Sequence, residues 1–203
     1  MSKFVLQPED GSVDFGNTRG DESVDLQVVR NNATEVASGY ASFLIGGKAN
    51  TASGTYSAAF GANNTSSGIG SLAIGMNNGA SGNYSLVGGI NSQAVGLASS
   101  SLGAESIAYA PYSAIAFSSD ALTDIGAVFS HIGGGQGGNA YLYGQDVYAT
   151  GKFATQGDAQ TTTLIVRRNS TGISAGNPTI ELYLDGVTAT YLVIPKGNNR
   201  AWS

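Results

Sequence analysis

The chain contains no cysteine, which removes disulfides, thiol nucleophiles, Cys-ligated zinc and iron–sulfur clusters together. It has a single histidine, so one chain cannot supply a multi-histidine metal site. Charged residues are 11% of the total, well under the usual share, and nine Lys+Arg against fourteen Asp+Glu leave no basic footprint for a row of phosphates. Nucleic acid is therefore not an expected partner. No run approaches the ~20 apolar residues that span a bilayer, and the first residues, Met1-Ser2-Lys3-Phe4, lead into no apolar signal segment. Neither membrane insertion nor secretion by that route is expected. What is abundant is glycine, thirty in 203 residues, alongside 41% apolar residues and a net charge of only −5. A chain of this kind can bury surface and fold.

The glycines are periodic. Ser-Gly-x-x-Ser recurs at Ser38-Gly39, Ser53-Gly54, Ser67-Gly68 and Ser81-Gly82, then as Val95-Gly96 and Tyr109-Ala110, in steps of 15, 14, 14, 14 and 14 residues. Seven residues after each stands a second glycine, at Gly46, Gly61, Gly75, Gly89 and Gly103, with Phe117 in the sixth copy. Between the two lies a short apolar run such as Phe43-Leu44-Ile45 or Leu72-Ala73-Ile74, long enough for a strand and too short for a helix. Fourteen residues leave room for two short strands and two tight turns, with glycine at turns that need positive φ. Each copy is read as one coil of a β-solenoid, stacked on its neighbours at about 4.8 Å per strand. Gly46, Gly54, Gly61, Gly68, Gly75, Gly82, Gly89, Gly96 and Gly103 are the expected turn positions.

Side chains alternate across a strand, so an all-apolar triplet makes both faces of the coil wall apolar. One face looks into the coil and the other needs cover from outside it. Self-association follows, with its symmetry open. The expected packing residues are Leu72, Ala73, Ile74, Leu86, Val87 and Ile115. Two residues after the register glycine stand Tyr56, Gly70, Tyr84, Ala98 and Tyr112, an alternation of large and small that suits interdigitating layers. Tyr56, Tyr84 and Tyr112 are read first as core or inter-chain packing residues and second as candidate sugar-stacking residues, because aromatic faces with polar tips suit wet binding surfaces.

The copy Ser71-Leu72-Ala73-Ile74-Gly75-Met76-Asn77-Asn78-Gly79-Ala80-Ser81-Gly82-Asn83-Tyr84 resembles the head repeat of trimeric autotransporter adhesins. The variant Ala52-Ser53-Gly54-Thr55-Tyr56-Ser57 is similar to repeats of bacteriophage tail-fibre and virion proteins. Arg19-Gly20-Asp21-Glu22-Ser23-Val24-Asp25-Leu26-Gln27 resembles the segment that precedes such repeats in phage proteins, and Leu164–Arg168, Glu181–Gly186 and Leu192–Pro195 resemble a small β-domain that ends phage fibres. The resemblance implies an all-β fold: a homotrimeric, left-handed parallel β-roll of 14-residue repeats followed by a small C-terminal antiparallel β-domain. The domains implied are an attachment segment over 1–36, the β-roll over 37–121, a connector over 122–160 and the β-domain over 161–203. In that family a further strand follows the tryptophan, whereas here the sequence stops one residue after Trp202, so either an incomplete last sheet or a truncated chain is expected.

The function so implied is non-enzymatic: a phage virion protein, either a short tail fibre or a capsid fibre or decoration protein, with the roll as a rigid spacer. Its partners would be two further copies of itself and, through 1–36, other virion proteins. The alternative is a host-receptor module binding cell-surface glycan through the tip. No cofactor or metal is expected. His131 is read as a loop residue, although threefold symmetry would bring three copies of it to one axis. The carboxylate pairs Glu9/Asp10, Asp21/Glu22 and Asp120/Asp124 are read as solvated acids rather than a glycosidase pair, which needs two carboxyls roughly 5–9.5 Å apart. Arg19-Gly20-Asp21 matches an integrin-binding tripeptide but lies inside the longer phage-like segment.

Overall fold

The computed structural model describes residues 17–166 and 183–185. The chain divides into two compact units, Met1–Thr163 and Leu164–Ser203. In chain order the strands are β1 (Val24–Leu26), β2 (Phe43–Lys48), β3 (Thr51–Ala52), β4 (Ala58–Ala62), β5 (Thr65–Ser66), β6 (Leu72–Met76), β7 (Gly79–Ala80), β8 (Leu86–Ile90) and β9 (Gln93–Ala94). There follow β10 (Ser100–Ala104), β11 (Ile107–Ala108), β12 (Ala114–Ser119), β13 (Leu122–Thr123), β14 (His131–Gln136), β15 (Asn139–Ala140), β16 (Asp146–Thr150) and β17 (Gln160–Thr163). No helix occurs among the described residues.

The even-numbered strands β2 to β16 stack in parallel behind β1, and β3 to β15 stack as a second parallel sheet of seven strands. Each turn of chain lays one long and one short strand on the previous pair. The result is a parallel β-solenoid of about eight turns, in which successive turns from Ala59 to Ile115 are 14 residues apart. Eight steps at the strand spacing extend about 38 Å.

The core is a pair of facing columns. Leu44, Ala59, Ala73, Val87, Ser101, Ile115, Ile132 and Val147 are in register along the longer sheet, and all are buried. Opposite them stand Ala52, Ser66, Ala80, Ala94, Ala108, Thr123 and Ala140, equally buried. The pairing of aliphatic against alanine is what so slim a coil can hold at close packing. The alternation predicted from the triplets is present, and it corrects one part of the packing set. Ala73, Val87 and Ile115 are fully inside the coil and cannot meet a partner chain, whereas Leu72, Ile74 and Leu86 lie on the outer wall.

The glycines are needed chiefly for close approach. A Cβ at Gly54, Gly68, Gly82 or Gly96 would lie 2.0–2.2 Å from a backbone oxygen of the next coil, although none of these four has positive φ. At Gly61, Gly75, Gly89 and Gly103 the clash, 1.8–2.1 Å, is joined by φ between 110° and 154°. Gly46 is an exception to the expected set: nothing lies within 4 Å of it, and Gly47 stacks on Gly61 instead. The extra residue is a bulge between Ile45 and Lys48, which accounts for the one 15-residue step. In the turns that hold Gly54, Gly68, Gly82 and Gly96, positive φ falls instead two residues later, on Tyr56, Gly70, Tyr84 and Ala98, at 50–61°.

Coiling also continues past residue 121, through the segment expected to be a connector. Strands β12, β14 and β16 pair in parallel, but the coils are enlarged. Phe117 does not take the place of a glycine; Gly103 pairs with Ser118, and Phe117 is bulged out with φ 49°. Two more residues enter between Thr123, which pairs with Ala108, and Ser130, whose carbonyl accepts Ala114 N–H. That wider corner leaves room for the methyl group of Ala110 in the glycine column.

Buried amides run through the stack. Asn50 Oδ1 accepts Asn64 N–H, Asn64 Oδ1 accepts Asn78 N–H and Asn78 Oδ1 accepts Ser92 N–H, at 2.9–3.0 Å, while Asn64 Nδ2 and Asn78 Nδ2 donate to Gly75 O and Gly89 O at 2.8 Å. Ser92 and Ser106 extend the ladder with their hydroxyls. These bonds satisfy corner N–H and C=O groups that the strands leave over.

Both ends of the stack are closed. At the start, Asp25 occupies the core register beside Leu44 and is buried, with Arg30 Nη2 at 2.8 Å and Arg19 Nε at 3.5 Å, and the Gln27 side chain accepts Asn50 N–H at 2.8 Å. At the finish, β17 turns back antiparallel on β16, and the Gln160 amide both accepts Asn139 N–H and donates to Asn139 O at 2.8 Å, as a strand would. The Gln27 and Gln160 side chains cover the ends of the short sheet, and β1 and β17 are the outermost strands of the longer one. In the second unit, Tyr183 and Leu184 are buried. The rest of the expected β-domain over 161–203, apart from 161–166 and Asp185, lies outside the described residues, as do residues 1–16 of the expected attachment segment over 1–36.

Candidate functional site

Outward-facing residues of the longer sheet form two parallel columns. Phe43, Ala58, Leu72, Leu86, Ser100 and Ala114 make one, and Ile45, Phe60, Ile74, Gly88, Leu102 and Ala116 the other. Gly88 is flat where Leu102 of the next coil lies 3.0 Å from its would-be Cβ. Phe43 and Phe60 meet edge to face at 5.8 Å. Beside these, Met76 and Ile90 continue the row begun by Lys48 and Ala62. Ile45, Ile74 and Met76 are each 43% exposed on the single chain. Between residues 37 and 121 the charges are Lys48, Glu105 and Asp120 alone. This is a contiguous, almost uncharged apolar wall six coils long, of the kind that marks an interaction surface.

The wall ends where the enlarged coils begin. In the first column the next two residues are His131 and Asp146, and beside the second stands Tyr148. His131 is therefore a strand residue rather than a loop residue, and its Nδ1 lies 2.9 Å from Asp146 Oδ1 with both side chains at least half exposed.

A second feature runs along the turn between each short strand and the following long one. Tyr56, Gly70, Tyr84, Ala98 and Tyr112 are stacked there by hydrogen bonds from each N–H to the coil before. Tyr56, Tyr84 and Tyr112 are exposed by 62%, 66% and 49%. They do not bury their rings in the core of the chain, so the core-packing role expected of them does not hold within one chain. Tyr84 passes over Gly70, 3.1 Å from where a Cβ would stand, and Tyr112 stacks on Phe129 at 5.0 Å. Tyr40 meets Tyr56 at 5.7 Å and donates its hydroxyl to Glu22 at 2.8 Å. That hydrogen bond, then desolvation, holds the Tyr40 phenol above its ordinary value.

The other polar candidates are engaged structurally. Asp120 binds Lys152 and accepts Gln156 Nε2 at 2.8 Å, while Asp124 accepts the next backbone N–H at 2.7 Å. Arg19 of the integrin-like tripeptide is mostly buried against Asp25, and Gly20 is wedged against Gly39, so the tripeptide is part of a coil wall. The pair Glu9/Asp10 lies outside the described residues. Among the described residues no group of three His, Asp or Glu side chains could hold a metal ion. The asparagine ladder and the Asp25–Arg30 pair went unread in the sequence. The 14-residue spacing of Asn50, Asn64 and Asn78 was a visible signal for the first. Comparison with protein-family models, curated proteins and solved structures finds no match for this chain.

Proposed function

We propose that the protein is a non-enzymatic structural protein that assembles from copies of itself, as a homotrimer, and serves as a rigid spacer in a bacteriophage virion, as a short tail fibre or a capsid fibre or decoration protein. The observation that carries the assembly is the outer apolar wall of the longer sheet. Fully burying an aliphatic side chain contributes about 1.5–3 kcal/mol, so the half-exposed Ile45, Ile74, Met76 and Ile90 each have on the order of 1 kcal/mol to gain. Within the chain the inner face is already filled, so a sister copy with the same flat, uncharged columns is the complementary cover. The virion role is supported by the phage-like leader and repeats. In this proposal residues 1–36 dock to other virion proteins and the second unit forms the distal end.

A stack of coils paired strand to strand suits a load-bearing spacer, and the buried amide ladder ties successive coils together. Sedimentation equilibrium at micromolar concentration tests the assembly: the expected mass is three times the 20.5 kDa chain. A monomer would overturn the proposal. Electron microscopy of intact particles carrying a labelled copy tests the location.

A further inference from the structure

The tyrosine ridge is not part of the apolar wall. It lies on the turns between β3 and β4, β7 and β8, and β11 and β12, and is exposed on the single chain. Three observations separate it from ordinary surface aromatics. First, Tyr56, Tyr84 and Tyr112 occupy every second coil, with Gly70 and Ala98 between them, so their backbone positions repeat at about 9.6 Å. Second, the coil's hydrogen bonds hold all three at positive φ, 55–58°, as they do Gly70 and Ala98 in the coils between, so the positions share one backbone geometry along the ridge. Third, among the described residues their hydroxyls make no hydrogen bond, while the exposed Ser53, Ser67, Ser81 and Asn83 line the same turns.

An extended β-linked polysaccharide turns each sugar over relative to the last, so the same pyranose face returns at every second residue, a distance that two coils match. The ridge offers a ring at each return, small residues between, and hydroxyl and amide groups alongside. Its surroundings carry almost no charge, which suits a neutral ligand and disfavours an acidic or basic one. We propose that Tyr56, Tyr84 and Tyr112 form a linear binding site for an extended, neutral, β-linked polysaccharide, each ring stacking on alternate sugars. Three chains would carry three such ridges and gain avidity on a polymeric surface. The site itself needs only one chain, so it stands whether or not the trimer does.

The test uses the full chain, titrated by calorimetry with cellohexaose, and with maltohexaose as the α-linked, curled control. Sedimentation of the same samples records the assembly state separately. Cellohexaose is expected to bind and maltohexaose to bind at least about tenfold more weakly. Y84N is expected to weaken cellohexaose binding about tenfold, and Y56N/Y84N/Y112N to abolish it. Asn accepts positive φ, so both variants should melt no lower than the parent, which separates ligand stacking from a packing role. No binding of cellohexaose at millimolar concentration, equal binding of both hexamers, or full binding by the Y84N variant would each overturn the site.

Discussion

The regular coils, from β3 to β11, and the enlarged coils that follow are built on one plan but tolerate different things. In the regular coils each step repeats the same contacts: glycine against carbonyl, Asn or Ser amide or hydroxyl to the next N–H, and apolar side chains on both walls. In the enlarged coils the core column persists through Ile132 and Val147, yet bulges enter at Phe117 and between Ile132 and Gly135, and the outer wall turns polar at His131 and Asp146. The core register thus defines a coil, while the glycine columns and the apolar outer wall belong to the region where coils must be identical. We connect that identity to a partner: a flat repetitive wall is useful where another copy lies along it.

The largest effect expected within this contrast is steric. Gly82→Val drives a branched side chain into the Gly96 carbonyl, 2.1 Å from the Cβ position, and should cost more than about 3 kcal/mol or prevent folding. Gly126→Ala, in an enlarged corner with nothing within 4 Å, should stay within about 0.5 kcal/mol. Urea denaturation of the two variants measures the difference, and equal costs would break the distinction between the regions.

Next comes the ladder. Asn64→Ala strands the N–H of Asn78 and the carbonyl of Gly75 inside the stack, and should cost about 2–3 kcal/mol by the same denaturation. Ser106→Ala, at the ladder's end beside the enlarged coils, should cost about 1 kcal/mol. On the outer wall, Ile74→Glu should release monomers with unchanged far-ultraviolet circular dichroism, whereas Tyr148→Glu, beyond the apolar wall, should leave the assembly intact in sedimentation.

The smallest effect is electrostatic and lies after the last coil. Backbone N–H groups of Thr155, Ala154 and Phe153 hold the Asp158 carboxyl below the ordinary carboxylate range. A depressed folded value means that its contribution is present above the unfolded carboxylate value and is lost as pH falls through the folded one. Carbon-detected titration should place the Asp158 midpoint below the ordinary aspartate value, and Asp158→Asn should remove the acid dependence of this loop while shifting the melting temperature little.

The regular region was the legible part of the sequence. Apolar triplets and paired glycines at constant spacing identify strands, coil length and the fact of alternation, but not its phase: Ala73, Val87 and Ile115 were read as packing residues alongside Leu72, Ile74 and Leu86, and they face inward. The enlarged coils were not legible, because a bulged Phe117 and the residues added before Ser130 destroy the spacing without disturbing the core register. Gly46 and Gly47 show the same limit on a smaller scale: either could fill the column, and only the position of the bulge decides. The reason for the glycines was also hidden. Close approach of one backbone to the next coil requires a stack of coils, whereas turn geometry can be read locally. Positive φ at Tyr56, Tyr84 and Tyr112 was unexpected for the same reason, since the coil's hydrogen bonds impose it on whichever residue stands there.

The central claim, that sister copies cover the outer wall, is tested most directly by filtered methyl nuclear Overhauser spectroscopy on a mixture of labelled and unlabelled chains. The account predicts contacts between the Ile74 methyl groups of one copy and the Leu72 or Leu86 methyl groups of another. An Ile74 methyl group that sees only its own chain and water would contradict it.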